Sequence, residues 1–370
     1  MEDYPPEDKL GPNPLLVVRD LSKVFISRDE RGRRAELKVL SGINITVSKG
    51  EIVGIVGESG CGKTTLAKCI VGLETATSGK VIFQDRTITS GRSRWYRKDL
   101  QLIFQDPYTS LHPKMTVGQI IGEPLLIHRL VSDRIEFRRR VSELLDLVGL
   151  QPKMANRYPH EFSGGQRQRI GIGRALAVEP SLLICDEPVS ALDVSVQAQI
   201  INLLLDLRQK LDLTYVFIAH DLALVRHIAT RVVVMYLGRV VESMTTERLF
   251  EQPTHPYTQG LISAVPIPDP KAALRRPRLT VKGEVPSLLN LPSGCVFETR
   301  CPLAIQQCKD RMPPLTDVGD AHMVACWRSG EARVNWENMV HARRNVVPSV
   351  GDEIDSEEHS HTTAEDGRAL

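Results

Sequence analysis

The chain has 370 residues, of which 42% are hydrophobic and 25% charged, and a formal net charge of +2. That length suits one large domain with an appendage, and the near-neutral charge gives no support for nucleic-acid binding through a basic face. No apolar run approaches the ~20 residues of a bilayer span, and residues 1–13 are too polar and proline-rich for a signal peptide. The chain is therefore expected in the cytoplasm, with any membrane span supplied by another chain.

Residues 15–20 and 37–47 are rich in β-branched side chains and read as strands, joined by a charged loop at 28–34. A short apolar run, 51–56, ends in a glycine-rich loop, and a helical pattern follows at 63–72. Strand, loop and helix in that order open an α/β unit. Gly57, Glu58, Ser59, Gly60, Cys61, Gly62, Lys63 and Thr64 fit G-x-x-x-x-G-K-[ST], with Thr65 beside them. The glycines let backbone N–H groups turn inward onto phosphate oxygens, and the helix adds its positive end. Lys63 is placed for the β- and γ-phosphates and Thr64 for Mg²⁺. A chance glycine-rich turn is the bland alternative, disfavoured by the strand before it and the helix after it.

Residues 131–150 and 165–178 look helical, with Val141, Leu144, Leu145 and Val148 on one face. They are expected to form a helical subdomain, about 106–178, inserted into the α/β core. Inside it, Phe162 precedes Ser163, Gly164, Gly165 and Gln166. Ser163 and Gln166 have capping-box spacing, and the glycines allow a ligand close to the backbone, which makes a second anion site at a helix start. Alone, the stretch reads as an ordinary capped helix. The apolar run 182–185 ends in Asp186 and Glu187, and the run 214–219 ends in His220. Asp186 is placed to hold Mg²⁺ and Glu187 to polarise water, the positioning and charge neutralisation that phosphoryl transfer requires. Strands alternating with helices predict a mainly parallel sheet with functional groups at the strands' carboxyl ends.

After residue 260 the composition changes, and Pro266, Pro268 and Pro270 mark a linker. Cys295, Cys301, Cys308 and Cys326 follow. Four thiolates suit zinc or an iron–sulfur cluster; His322 is a spare zinc ligand, and small buried core residues are the alternative. The segment is short of apolar residues for a core of its own. The polar, acidic end of the chain is expected to be disordered, and the tail is drawn at 336–370.

With these elements in this order, the sequence resembles the ATPases of ABC transporters. Further stretches resemble the oligopeptide and dipeptide permease branch, and within it the second of two paired ATPases: His255-Pro-Tyr-Thr, Glu284-Val-Pro-Ser and the run from Pro292 to Pro302 that contains Cys295 and Cys301. The resemblance implies an α/β P-loop cassette at 14–262 with an N-terminal antiparallel β subdomain, and a cysteine-rich region at 263–335. It implies that 163–166 is the family signature, that Gln105 senses Mg²⁺ and the membrane partner, that Asp193 ends a loop crossing a dimer interface, that His220 contacts the γ-phosphate and that Phe25 stacks on adenine. It also implies ATP and Mg²⁺ as ligands, and favours a [4Fe–4S] cluster on the four cysteines over zinc. The partners implied are a second, homologous ATPase in a heterodimer, two membrane permease subunits and an extracytoplasmic substrate-binding protein, with the chain peripheral on the cytoplasmic face of the membrane. Residues 106–123 are expected in the groove for a permease helix, with Tyr108, Leu111 and Met115 as contacts. Peptide is the expected cargo; nickel, opines, glutathione or glycosides are the alternatives within the family. A soluble ABC ATPase of translation or DNA repair is the alternative outside it. A nucleotide-binding regulator without hydrolysis is opposed by Lys63, Glu187 and His220.

Overall fold

The computed structural model describes residues 14–28, 32–88, 95–265, 279 and 281–346. Strands β1 (Pro14–Arg28) and β2 (Arg34–Ser48) pair antiparallel, and β4 (Ser78–Phe83) and β5 (Arg86–Thr87) complete a four-stranded sheet in the order β2-β1-β4-β5. This is the expected antiparallel subdomain. The expected loop at 28–34 lies partly outside the described residues, and the linker at 266–270, residues 1–13 and residues 347–370 lie wholly outside them.

The larger sheet has eight strands in the order β11-β12-β10-β9-β3-β8-β7-β6. Its centre is parallel: β9 (Arg231–Tyr236), β3 (Ile52–Val56), β8 (Thr214–Ala219), β7 (Leu182–Asp186) and β6 (Leu100–Ile103). Every residue of β3, β7 and β8 is buried. Strands covered on both faces need apolar side chains at every position, which is why these runs do not alternate. Antiparallel β10 (Arg239–Thr245), β11 (Thr316–Asp317) and β12 (Met323–Val324) extend one edge.

One core cluster lies between the larger sheet and the antiparallel sheet, with Leu66 and Ile70 of α1 (Lys63–Ile70) in it. The other joins the sheet's opposite face to the helices. It includes α2 (Val117–Ile127), α3 (Arg134–Leu147) and α4 (Gly164–Leu176), all within the predicted helical insertion. Thr116, Asp133 and Ser163 cap these helices through side-chain oxygens that accept first-turn N–H groups. Helices α5 (Val194–Leu211), α6 (Leu222–Ile228), α7 (Thr246–Glu251) and α8 (Pro256–Ala264) complete the cassette.

The cysteine-bearing segment, with α9 (Gln306–Asp310), has no separate core. Val296 and Phe297 are 2% and 1% exposed and belong to the cassette's own cluster, as do Cys295 and Cys308. A buried polar staple fixes it further. Glu242 of β10, fully buried, accepts the backbone N–H groups of Thr254 and His255 and pairs with His322 Nε2 at 2.8 Å. Burial pushes His255 down to about 4, so this ring stays neutral.

The tail requires a correction. Helix α10 (Ser329–Val346) occupies the first part of the segment expected to be disordered. Ala332 and Trp336, four residues apart on one helix face, are buried, and the indole N–H donates to the Glu251 carbonyl at 3.2 Å. A few well-placed apolar groups anchor a helix whose average composition is polar.

Candidate active site

Strand β3 ends at Val56, and residues 57–62 curl into the start of α1. Gly57 and Gly62 have φ of 155° and 102°, and a Cβ at Gly57 would stand 2.2 Å from the Met235 carbonyl oxygen. Only glycine fits there. Lys63 is 5% exposed and folds back over the loop, its Nζ donating to the carbonyls of Gly57 at 2.8 Å and Glu58 at 3.1 Å. The same nitrogen is 3.9 Å from Glu187 Oε1.

Glu187 is the hub. Gln105 Nε2 donates to its Oε2 at 2.9 Å, and His220 Nδ1 is 3.4 Å from the same oxygen. The residue holds φ at 44°, a left-handed conformation that a side chain adopts at a cost. Its backbone N–H donates to the Ile218 carbonyl at 3.0 Å, which fixes the turn after β7 against β8. Lys63 opens α1 after β3, and Gln105, Glu187 and His220 follow the ends of β6, β7 and β8, so these four predicted residues meet at one carboxyl edge of the parallel sheet.

Asp186, 4% exposed, accepts the Thr64 hydroxyl at 3.1 Å. Burial pushes its carboxyl above the usual carboxylate range and the neighbouring Glu187 charge adds to this, while the Thr64 bond opposes it. A hydroxyl and a buried carboxylate form an all-oxygen donor pair of the kind that suits Mg²⁺.

Ser163 caps α4 in a reciprocal box: Gln166 N–H donates to its hydroxyl at 3.3 Å, and its own N–H donates to Gln166 Oε1 at 3.1 Å. Gly165 packs against α5, where a Cβ would meet Val196 Cγ1 at 2.3 Å. Among the described residues no hydrogen bond joins 163–166 to 57–65. Asp193 is an exposed helix cap, accepting Ser195 Oγ at 2.7 Å and Val196 N–H at 3.0 Å, and those bonds hold its carboxyl below the ordinary value. Phe25 is half-buried on β1 with Lys23 Nζ 4.5 Å from its ring centre.

An open groove of about 770 Å³ lies between α1, β6 and α2, lined by Leu73, Arg97, Phe104, Glu123, Ile127 and Arg174 among others. The lining does not include the three expected contacts. Leu111 is 2% exposed and belongs to the core, while Tyr108 points elsewhere, under Arg167 at 4.2 Å. Met115 is a half-buried residue packed on that core. The groove's apolar rim instead comes from Leu73 and Ile127, 60% and 68% exposed.

Burial pushes Cys301 up to about 11 and Cys326 up to about 12, and Cys295 also rises, each raised further by neighbouring sulfurs. Among the described residues no group of three or more His, Cys, Asp or Glu side chains is arranged to hold a metal ion. His322, named as a spare zinc ligand, pairs through Nε2 with Glu242 at 2.8 Å.

Sequence reasoning assigned no role at this site to Tyr236, Tyr257 and Arg300, all of which touch Glu58 or its partner groups. Tyr257 and Arg300 sit inside stretches that had marked the permease branch, the only local signal they carry.

Two family models match the chain: "ABC transporter" over residues 40–190 and "Oligopeptide/dipeptide transporter, C-terminal region" over 241–308. The chain is 51% identical over 293 residues to the oligopeptide transport ATP-binding protein OppF of Salmonella typhimurium, covering 78% of this chain and 87% of that one. It is 47% identical over 318 residues to AppF, an oligopeptide transport ATP-binding protein of Bacillus subtilis, covering 84% and 96%. Among solved structures it is similar to cbiO1 of Clostridium perfringens, part of the ABC transporter complex cbiONQ, with a TM-score of 0.55 and 28% identity over 65% of this chain and 92% of that one. It is also similar to the ATP-binding cassette MJ0796 in a dimeric post-hydrolysis state with ADP and Pi, with a TM-score of 0.56 and 28% identity over 62% and 98%. On this evidence the chain belongs to the ABC transporter ATPases, in the oligopeptide/dipeptide branch.

Proposed function

We propose that this chain hydrolyses ATP to drive an importer of short peptides. The observation that carries the reading is the meeting of Lys63, Gln105 and His220 on Glu187 beside Asp186 and Thr64. In this reading residues 57–65 wrap the phosphates, and Lys63 exchanges its loop carbonyls for phosphate oxygens. Thr64, Asp186 and Gln105 would hold Mg²⁺, which when bound neutralises phosphate charge. Glu187 orients the attacking water and takes up its proton, and His220 faces the terminal phosphate. Phe25 contacts the adenine. The names of the oligopeptide relatives favour peptide over nickel, opine, glutathione or glycoside cargo.

A single chain leaves its signature segment unused, since 163–166 makes no bond to the phosphate loop. A second, homologous ATPase would place that segment over the nucleotide, with Asp193 near the shared interface, and the pair would close on ATP and reopen after hydrolysis. The groove beside Gln105 suits a helix of a membrane permease, because Leu73, Phe104 and Ile127 offer apolar contact and Arg97 and Glu123 offer charge. Among the described residues no helix is long and apolar enough to cross a membrane. By its membership of the oligopeptide/dipeptide branch, the assembly is read as two ATPases, two permeases and an extracytoplasmic binding protein, with this chain at the cytoplasmic face. Co-expression of the chain with its permeases, followed by reconstitution with a peptide-loaded binding protein, tests this. Peptide is expected to stimulate ATP hydrolysis several-fold; equal turnover with and without every peptide tried would contradict the cargo.

The four cysteines are read as ligands of a [4Fe–4S] cluster, with zinc as the alternative. Their soft thiol donor set supports it. A group bound by these four side chains would add its binding free energy to the folding of the segment. Anaerobically purified protein should be brown and absorb near 400 nm. A colourless preparation with one zinc per chain would replace the cluster by zinc.

A further inference from the structure

Glu58 is the one acidic residue among 57–64. Both of its carboxylate oxygens accept Nη1 of Arg300, at 3.1 and 2.9 Å, and that nitrogen also reaches the Tyr236 hydroxyl at 3.2 Å. The Glu58 backbone N–H donates to the Tyr257 hydroxyl at 2.9 Å, and its carbonyl accepts Lys63 Nζ at 3.1 Å. One loop residue is thus held at its side chain, its N–H and its carbonyl. Arg300 is held in turn: its side chain is 9% exposed, and Phe297 packs edge-on against Tyr236 at 5.3 Å and beside Tyr257 at 5.4 Å. Arg300 directly precedes Cys301, so the hold on the phosphate loop comes from the cysteine-bearing segment.

We propose that Arg300 is a positioning residue of the nucleotide site: it neutralises Glu58 and fixes the curl of the phosphate loop, so that the C-terminal segment sets nucleotide affinity. The inference rests on residues 57–65 being the phosphate site. Without Arg300, an uncompensated carboxylate stands at the rim of a site for a polyanion. Repulsion over roughly 10 Å amounts to several-fold in affinity at low salt and is partly screened at ~0.15 M. Released from its anchor, the loop must also be ordered by the nucleotide at a further entropic cost.

The test is titration of full-length protein with a fluorescent ATP analogue at low and moderate salt, alongside steady-state hydrolysis. Arg300→Gln is expected to weaken binding about fivefold at low salt and less at ~0.15 M. It should raise KM for ATP and leave kcat within about twofold, because Glu187 is untouched. The double variant Arg300→Gln with Glu58→Gln is expected to regain the electrostatic part of the loss and bind at least about twofold tighter than Arg300→Gln, since no charge is left unpaired while the loop's anchor is still missing. Glu58→Gln alone keeps Arg300 and should bind about twofold tighter; it also serves where Arg300→Gln fails to fold. Unchanged affinity in Arg300→Gln, a double variant as weak as the single one, or weaker binding by Glu58→Gln would each overturn the proposal. Lys63→Ala is the control. If it loses binding while Arg300→Gln does not, only the role of Arg300 falls; if Lys63→Ala binds normally, the phosphate site itself is misplaced.

Discussion

Glu187→Gln is expected to bind ATP as tightly as wild type and to hydrolyse it about a thousand times more slowly, the scale on which a lost general base acts. The substitution keeps the side chain's length and its partner Gln105, and it keeps a residue that tolerates the left-handed turn about as well as glutamate does. It removes the charge that faces Lys63 at 3.9 Å and the acceptor needed for the water's proton. With hydrolysis blocked and binding intact, the variant should accumulate as an ATP-bound closed pair of ATPases. Phosphate release and equilibrium nucleotide binding, measured on the same preparation, check both halves. Turnover within threefold of wild type would remove Glu187 from its role.

Asp186→Asn is expected to separate catalysis from stability. Asp186 is nearly fully buried, and burial raises its folded pKa above the ordinary carboxylate value. The sign follows from linkage: when the folded pKa is the higher one, ionisation favours the unfolded chain. The cost is absent below the unfolded pKa, grows as pH rises towards the folded pKa, and is constant above it. The nucleotide-free Asn variant should therefore melt higher than wild type at pH 7, and the gap should close as pH falls towards ~4. Mg²⁺-dependent hydrolysis should fall by at least about a hundredfold, because the charge that holds the ion is gone. Wild type should gain stability on adding Mg²⁺ with ATP, and the variant should gain much less. Equal melting at all pH values together with retained Mg²⁺-dependent turnover would contradict the assignment.

Where the sequence was legible, the chemistry was local. The phosphate loop needs glycines at fixed spacing because backbone must pass within van der Waals contact of Met235, and the helix at 164 starts where Ser163 and Gln166 can cap each other. The runs before Asp186 and His220 are continuous because their strands are buried on both faces. What stayed hidden is non-local. Glu58 and Arg300 are separated by 242 positions, and nothing in either neighbourhood announces the pair. Leu111 was expected as a permease contact from the family resemblance, yet packing makes it core. Helix α10 was obscured by its charged residues, although Ala332 and Trp336 four apart were a readable anchor. The segment of the four cysteines seemed too poor in apolar residues for a core, and it resolves this by inserting Val296 and Phe297 into the cassette's.

The measurement closest to the central claim is the structure of Glu187→Gln assembled with its partner ATPase and permeases and loaded with ATP and Mg²⁺. The expected density places the triphosphate along 57–65, with Lys63 moved off the Gly57 carbonyl onto phosphate, the metal between Thr64 and Asp186, and the partner ATPase's signature segment closing the far side. A triphosphate bound away from this loop, or one left open to solvent where that segment should lie, would contradict it.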